Sequence, residues 1–306
     1  MMKPRKCASD QWNYGRISLG SHVFDTFNVI GLGLLCLLMI YPLWYVLCCS
    51  FSDPSMLMRH KGILLFPLNF SLGGYEKVLN YKRLWGSYLV TFFVVIVGTG
   101  LNMFFSILFA FVLSRRDLLW HKLITGLAVF TMYFSGGMIP TYLVVKAVGL
   151  YDTVWAMIIP GLISTYNCII LRTAFYGIPD SLEESARIDG AGDLRVLFTI
   201  CVPLIIPSVA TVALFYAVGH WNSYFSAMIY LTDSRMYPLQ LLLRSIIVQA
   251  EASAGDMSLM DPNFVEPPAQ SIKMAVIVVA TVPIMCVYPF LQKYFVKGVM
   301  VGALKG

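Results

Sequence analysis

Charge is what this chain has least of. Asp, Glu, Lys and Arg make up 12% of its 306 residues, against 58% apolar, at a mean hydropathy of +0.74. Ordinary soluble domains carry about 25% charged residues, so the solvent of this chain is a bilayer. The acids stay out of the apolar runs. Asp25, Asp53, Glu76, Asp117, Asp152 and Asp233 flank them, Glu183, Glu184, Asp189 and Asp193 share one polar segment, and Glu251, Asp256, Asp261 and Glu266 fall between the last two runs. Ion-coupled carriers set carboxylates or histidines at membrane depth as the relay or cation site, and this acid inventory argues against that class. The histidines His22, His60, His121 and His220 are scattered, with neither a His-Glu-x-x-His pair nor a Gly-x-Ser-x-Gly elbow, which leaves an intramembrane hydrolase without a catalytic pair. The phosphate-binding Gly-x-x-x-x-Gly-Lys-Ser/Thr loop is missing too, so the chain is not expected to be an enzyme that hydrolyses ATP. Its seven cysteines, Cys7, Cys36, Cys48, Cys49, Cys168, Cys201 and Cys286, lack the spacing of a metal cage or a disulfide framework and read as small apolar packing residues. No metal site is expected.

What is present is long apolar sequence. A hydrocarbon core of about 30 Å needs roughly 20 helical residues, and six runs qualify: Phe24 to Cys49, Trp85 to Leu113, Leu123 to Val145, Val154 to Leu171, Val202 to Leu231 and Ile272 to Leu291. They are apolar around the whole helix rather than alternating, which excludes a β-barrel. The expected class is an all-α, polytopic membrane protein with six transmembrane helices. Lys and Arg of short loops stay on the cytoplasmic side. Lys3, Arg5, Lys6 and Arg16, then Arg115, Arg116 and Lys122, then Arg172, Arg187 and Arg195, then Lys293, Lys297 and Lys305 fall on one side and place both termini in the cytoplasm. No small-residue cleavage site follows the basic start, so the first helix is expected to be retained. The expected organisation is a cytoplasmic segment 1–23, a membrane domain 24–293 and a cytoplasmic tail 294–306.

One polar island interrupts the runs. Pro179 ends the fourth run, Asp180 and Ser181 are N-cap residues, and Ser181-x-x-Glu184 has the spacing of a capping box, so a short helix should start there. Gly190 and Gly192 then permit a tight turn before Asp193 caps a second helix. A cytoplasmic helix-turn-helix results. Caps of this kind also occur in an ordinary solvated loop.

Beyond its caps, the island resembles a known family. Glu184-Ser185-Ala186, Gly190, Ile200 and Val202-Pro203, with Asp189, Ala191 and Pro207, are similar to the EAA loop, here 179–203, of the membrane subunits of ATP-binding-cassette importers. Ser185 and Val202 depart from the usual Ala and Leu, each with little change in size. Phe130 to Tyr142, Gly219 to Phe225 and the tail Tyr288 to Gly306 resemble the carbohydrate branch, and within it the permeases for complex oligosaccharides. The resemblance implies a type I importer permease, multi-pass in the plasma or inner membrane, working by alternating access. Its implied partners are a second homologous permease, two copies of a cytoplasmic ATPase, an extracellular sugar-binding protein or lipoprotein, the carbohydrate and the bilayer, with no nucleic acid. ATP and Mg would be used by the partner subunits, with no cofactor on this chain. Glu183, Glu184, Ser185, Ala186, Asp189, Gly190 and Ala191 would form the part that docks into the ATPase, Glu183 and Glu184 facing basic residues there, and Ala186 and Gly190 allowing close approach. A self-sufficient channel or secondary carrier for a small polar solute is the alternative.

The sugar path is read from aromatic and amide side chains, which suit sugar rings and hydroxyls. Tyr216, His220, Trp221, Asn222 and Tyr224 lie in the fifth run, with Tyr133 and Asn167 as further candidates. Interhelical packing explains the same residues, with Asn222 bonded to a neighbour. Two outer segments are read as loops. Ser50 to Leu84, with Asp53-Pro54 and Gly73-Gly74, can meet an extracellular partner, and Thr232 to Ser271, with Pro238, Pro262, Pro267 and Pro268, occupies the place of a loop reaching toward the sugar-binding protein or is a surface linker.

Overall fold

The structure is a computed structural model that describes residues 19–60, 62–260 and 271–287. Among the described residues there is no strand, only an isolated bridge between Ser52 and Phe70, in keeping with the all-α class. Most of the expected N-terminal segment, the stretch 261–270 and the tail motif from Tyr288 onward lie outside the described residues.

Two rods are continuous. Helix α1 (Leu19–Ser50) starts ahead of the expected Phe24 and keeps Pro42 in its interior. Phe27, Leu38 and Leu43 on it are exposed, as suits a face against lipid. After the short outer helices α2 (Pro54–Arg59) and α3 (Gly73–Leu79) comes α4 (Leu84–Ser114), apolar along its length and widened to π geometry over Val94–Gly98. Helix α1, over Phe24–Ser50, and α4 are the two described helices long and apolar enough to cross a membrane alone.

Three of the other four expected rods are bent, each at a residue that explains the bend. The run Leu123 to Val145 divides into α5 (His121–Tyr133) and α6 (Met138–Ala147), which meet at 112°. Phe134 turns extended and Gly137 takes φ 84°, a value that glycine adopts without Cβ strain. The run Val154 to Leu171 begins as two 3-10 turns, Val154–Met157 and Ile159–Gly161, the second carrying Pro160, and reaches α7 (Thr165–Phe175) across a 50° bend. The polar island forms α8 (Asp180–Ile188) and opens α9 (Asp193–Leu204), which stands at 90° to α10 (Ile206–Trp221). At that corner Ile205 leaves the helical region, and Pro207 has no N–H to continue the ladder. The fifth run is therefore not one span either. It ends at Trp221 and resumes as α11 (Tyr224–Tyr230) after Asn222-Ser223.

Both outer segments are more ordered than loops. Where a linker was expected, α12 (Leu239–Met260) forms, because Leu239, Leu242, Leu243 and Ile246 recur at helical spacing and bury. Its neighbours in the outer apolar cluster are Val78 of α3, Leu84 of α4, Trp221 of α10 and Ala275 and Val276 of the apolar helix α13 (Ser271–Val287). Segment 50–84 is likewise packed. The Asp53 carboxylate caps α2 by accepting from the amides of Ser55 and Met56, and the Ser55 hydroxyl, ahead of those amides, holds its pKa below the usual carboxylate value. Gly74 lies so close to the Ser271 carbonyl that an added Cβ would stand 2.9 Å from it.

The main core joins α4, α7 and α10 through Met103, Ile107, Ala110, Leu171, Val212 and Tyr216. It continues without a break into Ala186 of α8 and Val196, Leu197 and Cys201 of α9. The polar island thus belongs to the packed body.

Candidate functional site

Helix α8 starts on Pro179, whose fixed φ suits a helix entry. Neither expected side-chain cap forms. Asp180 stands in the first turn, the capping box of Ser181 and Glu184 is not made, and the Ser185 hydroxyl instead donates to the Ser181 carbonyl at 2.8 Å. Asp193 begins α9 without capping it. The turn does form as expected. Gly190 has φ 81°, its amide donates to the Arg187 carbonyl at 3.0 Å, and the Ala191 amide donates to the Ala186 carbonyl at 2.9 Å, closing the helix with a Schellman-type C-cap at Asp189-Gly190. Arg187 and Asp193 pair across it at 2.6 Å, both mostly exposed, so the pair adds little energy beyond fixing the register.

The seven docking candidates divide by face. Glu183, Ala186 and Ala191 turn toward the protein. Ala186 is only 9% exposed within the main core, Ala191 packs against that core, and Glu183 pairs with Arg115 at the end of α4 while accepting from the Cys201 thiol at 3.5 Å. The Arg115 guanidinium also stacks over Phe111 at 4.1 Å. Glu183 and Ala186 therefore hold the island down, in place of the outward contacts expected of them. Glu184, Ser185, Asp189 and Gly190 face outward. Ile188, one turn beyond Glu184 on that face, is 86% exposed, with Leu182 and Leu194 also exposed nearby. Sequence reading passed over Ile188. Its signal was an apolar residue four positions after Glu184, on the side of α8 away from Ala186. At this same end Arg116, His121, Lys122 and Arg172 line a cleft of about 650 Å³.

The sugar-path candidates divide as well. Tyr216 and His220 lie inside the body and serve a backbone defect. Where the 3-10 turns give way to α7, carbonyls and amides lose their helical partners, and inside a membrane no water replaces them. Asn102 of α4 donates to the carbonyls of Gly161 at 2.7 Å and Leu162 at 2.8 Å, and its Oδ1 meets His220 Nε2 at 2.7 Å. The Tyr216 hydroxyl accepts from the Ser164 amide at 2.9 Å and bonds Ser106 at 2.7 Å. His220 presses on the widened part of α4, since a Cβ on Gly98 would lie 2.7 Å from its Nε2. Trp221 is buried edge-on to Phe92, Asn167 is buried in α7, and Tyr133, 75% exposed, ends α5 before its bend.

Asn222 and Tyr224 are the two candidates brought together at an open site. With Gln240 and Arg244 of α12 and Thr281 of α13 they line a cavity of about 410 Å³, a size usual for small-molecule sites. Arg244 stacks over the Tyr224 ring at 5.0 Å. Reading 232–271 as a loop hid Gln240 and Arg244. Their signal was the helical recurrence of Leu239, Leu242, Leu243 and Ile246 around them.

Known proteins share this architecture. A family model for binding-protein-dependent transport system inner membrane components matches residues 20–301. The polygalacturonan/rhamnogalacturonan transport system permease protein YtcP of Bacillus subtilis (strain 168) is 47% identical over 94% of this chain and 99% of its own length. Protein LplC of the same organism is 44% identical over 93% of this chain and 95% of its own. Among solved structures, a chain of a bacterial ABC transporter involved in the import of the acidic polysaccharide alginate superposes with a TM-score of 0.82 at 32% identity, covering 92% of this chain and 99% of that one.

Proposed function

The chain belongs to the family of binding-protein-dependent transport system inner membrane components, and from that premise we propose that it is the permease subunit of an ATP-driven oligosaccharide importer, with α8 as its coupling helix. The observation that carries the assignment is the two-sidedness of α8. Its inner face is clamped by Ala186 and the Glu183–Arg115 pair, while its outer face offers Ile188 and Glu184 to a partner. A short helix fastened on one side and offering an exposed Ile188 among polar residues on the other suits a groove in a second protein. The partner is a cytoplasmic ATPase, present in two copies and using ATP and Mg, so this subunit supplies a path and not an active site.

The cations Arg115, Arg116, Lys122 and Arg172 gather at the α8 end, which supports a cytoplasmic location for it and, over six crossings, for both termini. The proposed crossings are α1 and α4, which are long and apolar enough alone, the three bent pairs, each taken as one, and the shorter apolar helix α13. A second, related permease completes the path, and a sugar-binding protein delivers cargo to the outer face. Two of the relatives whose names specify a cargo, polygalacturonan and rhamnogalacturonan in one and alginate in another, support a saccharide of several rings. In alternating access, closure of the ATPases on ATP moves α8, and the rigid body carries that motion to the cavity. Reconstitution of the chain with its ATPase, second permease and binding protein tests this. ATP-dependent saccharide uptake that Ile188→Glu abolishes is expected, with the variant still inserted in the membrane. Wild-type chain that recovers no ATPase, or an Ile188→Glu variant that transports normally, overturns the assignment.

A further inference from the structure

We infer that Arg244 makes the cavity beside α12 a subsite for a sugar carboxylate, so that the cargo is an acidic oligosaccharide. The inference rests on the importer reading above. It starts from how α12 is held. The Leu239 amide donates to the Thr91 hydroxyl of α4 at 2.8 Å, which pins the first turn of α12, and Leu239, Leu242, Leu243 and Ile246 bury one side of the helix. Gln240 and Arg244, four residues apart, then share a side that lines the cavity.

The polar atoms lining that cavity are unevenly used. The Asn222 Nδ2 donates to the Val218 carbonyl at 3.0 Å, which leaves its Oδ1 as an acceptor. The Thr281 hydroxyl donates to the Ile277 carbonyl at 2.7 Å and likewise keeps an accepting lone pair. Both suit sugar hydroxyls, which donate. Arg244 is the complement, a fork of donors with a fixed charge. No carboxylate among the described residues pairs with it, and its recorded contact is the Tyr224 ring. Stacking there sets the plane of the guanidinium without using its N–H groups. Arg244 is exposed at the cavity, open to an incoming ligand, and no acid lines the cavity to neutralise it. A uronate ring meets all of these groups at once, its hydroxyls on Asn222 and Thr281 and its carboxylate bidentate on Arg244. A neutral ring would leave the guanidinium unpaired.

The test uses the complete importer in proteoliposomes, with a uronate trisaccharide and its carboxyl-reduced neutral counterpart as probes and the binding protein saturated by each. Arg244→Gln is expected to lower uronate uptake about 10-fold or more, the effect of losing one charge-assisted contact. Arg244→Lys should fall between wild type and Arg244→Gln, because it keeps the charge and loses the fork and the stacking. Neutral-probe uptake and copurification of the ATPase should not change in either variant. Where the binding protein refuses the neutral probe, the order wild type, Lys, Gln in uronate uptake decides. Equal uronate uptake by all three would overturn the subsite alone. So would an equal fall for both probes with reduced recovery of the permease pair, which would make Arg244 a packing residue. Wild-type importer that assembles and moves no saccharide would instead overturn the importer reading, and the subsite with it.

Discussion

The two ends of this molecule treat their polar groups in opposite ways. At the α8 end the inward-facing carboxylate is spoken for, while Nε and Nη2 of Arg115 are buried without a partner. Glu183 has Arg115 and the Cys201 thiol, Arg187 has Asp193, and what remains for a partner is Ile188 and its apolar neighbours. At the cavity end Leu243, Ile247, Val276, Ile277, Ala280 and Ile284 supply an apolar lining, and Asn222, Tyr224, Gln240, Arg244 and Thr281 set polar groups into it. On the proposed function the difference separates two jobs. A surface that receives force has to be stiff and bound by area, whereas a surface that selects a solute needs unspent donors and acceptors in fixed places. Between them lies the seam of Asn102, His220, Tyr216 and Ser106, which faces neither end and keeps both on one body.

That contrast can be broken by experiment. The largest effect is expected for Ile188→Glu, which sets a charge in the proposed docking groove and should lower uptake roughly 100-fold, as loss of an interface anchor does. The loss should be the same for every saccharide tested. A loss that varied with the saccharide would mean that the two ends are not separate. Next, Arg115→Ala should lower the thermal stability of the detergent-solubilised chain by about 2 kcal/mol, because it leaves the half-buried Glu183 unpaired. Restoration of that stability by Glu183→Gln in the same chain would locate the effect in the pair.

Gly98→Ala aims at the seam. The added Cβ meets His220, and a destabilisation of about 1–2 kcal/mol is expected, with uptake reduced for all saccharides and the ATPase still bound. Tyr224→Ala should be milder, about fivefold in uptake for loss of one ring face, and unlike Ile188→Glu it should change the ranking among saccharides.

The smallest effect belongs to the outer turns. Asp152, at φ 57°, accepts from the amides of Asp233 at 3.0 Å and Thr232 at 2.8 Å, which together hold its carboxyl below the usual value. A carboxyl whose folded-state pKa is lowered contributes above its unfolded value and loses that contribution as pH falls through the lowered one. Protection of the Thr232 and Asp233 amides, relative to the exchange rate of a free amide at the same pH, should therefore be high at neutral pH and fall below about pH 4. Asp152→Ala should show the low protection at neutral pH with uptake unchanged.

Much of the α8 end was legible in sequence because its signals are local. Pro179, Gly190 and the EAA spacing act over a few residues, and the left-handed Gly190 is where the sequence places it. The faces of Glu183 and Ala186 were not legible. Which way they turn is decided by Arg115 and the α4–α7–α10 core, all distant in the chain. The cavity was half legible for the same reason. Asn222 and Tyr224 stand beside the helix end at Trp221, whereas Arg244 reaches them only because Thr91 and the outer cluster seat α12. Tyr216 and His220 show the reverse case. Their chemistry suits a sugar, yet a broken segment around Gly161 to Ser164 takes their hydrogen-bonding capacity first, directly or through Asn102. The straight rods expected for the third, fourth and fifth runs were misjudged because hydropathy records depth and not direction.

The corner at Ile205 has a mechanical consequence. Helices α9 and α10 meet there at 90°, and Ile205 is itself buried. At 1.5 Å per residue the arms are roughly 18 and 24 Å long. Two stiff arms fixed at a right angle on a buried fulcrum form a bell crank. A tangential push on the α8 end swings the far end of α10 through a direction at right angles to it, with a gain of about one and a third. Asn222 sits at the tip of that longer arm, so a rotation about Ile205 would carry the cavity wall farther than the surface that is pushed.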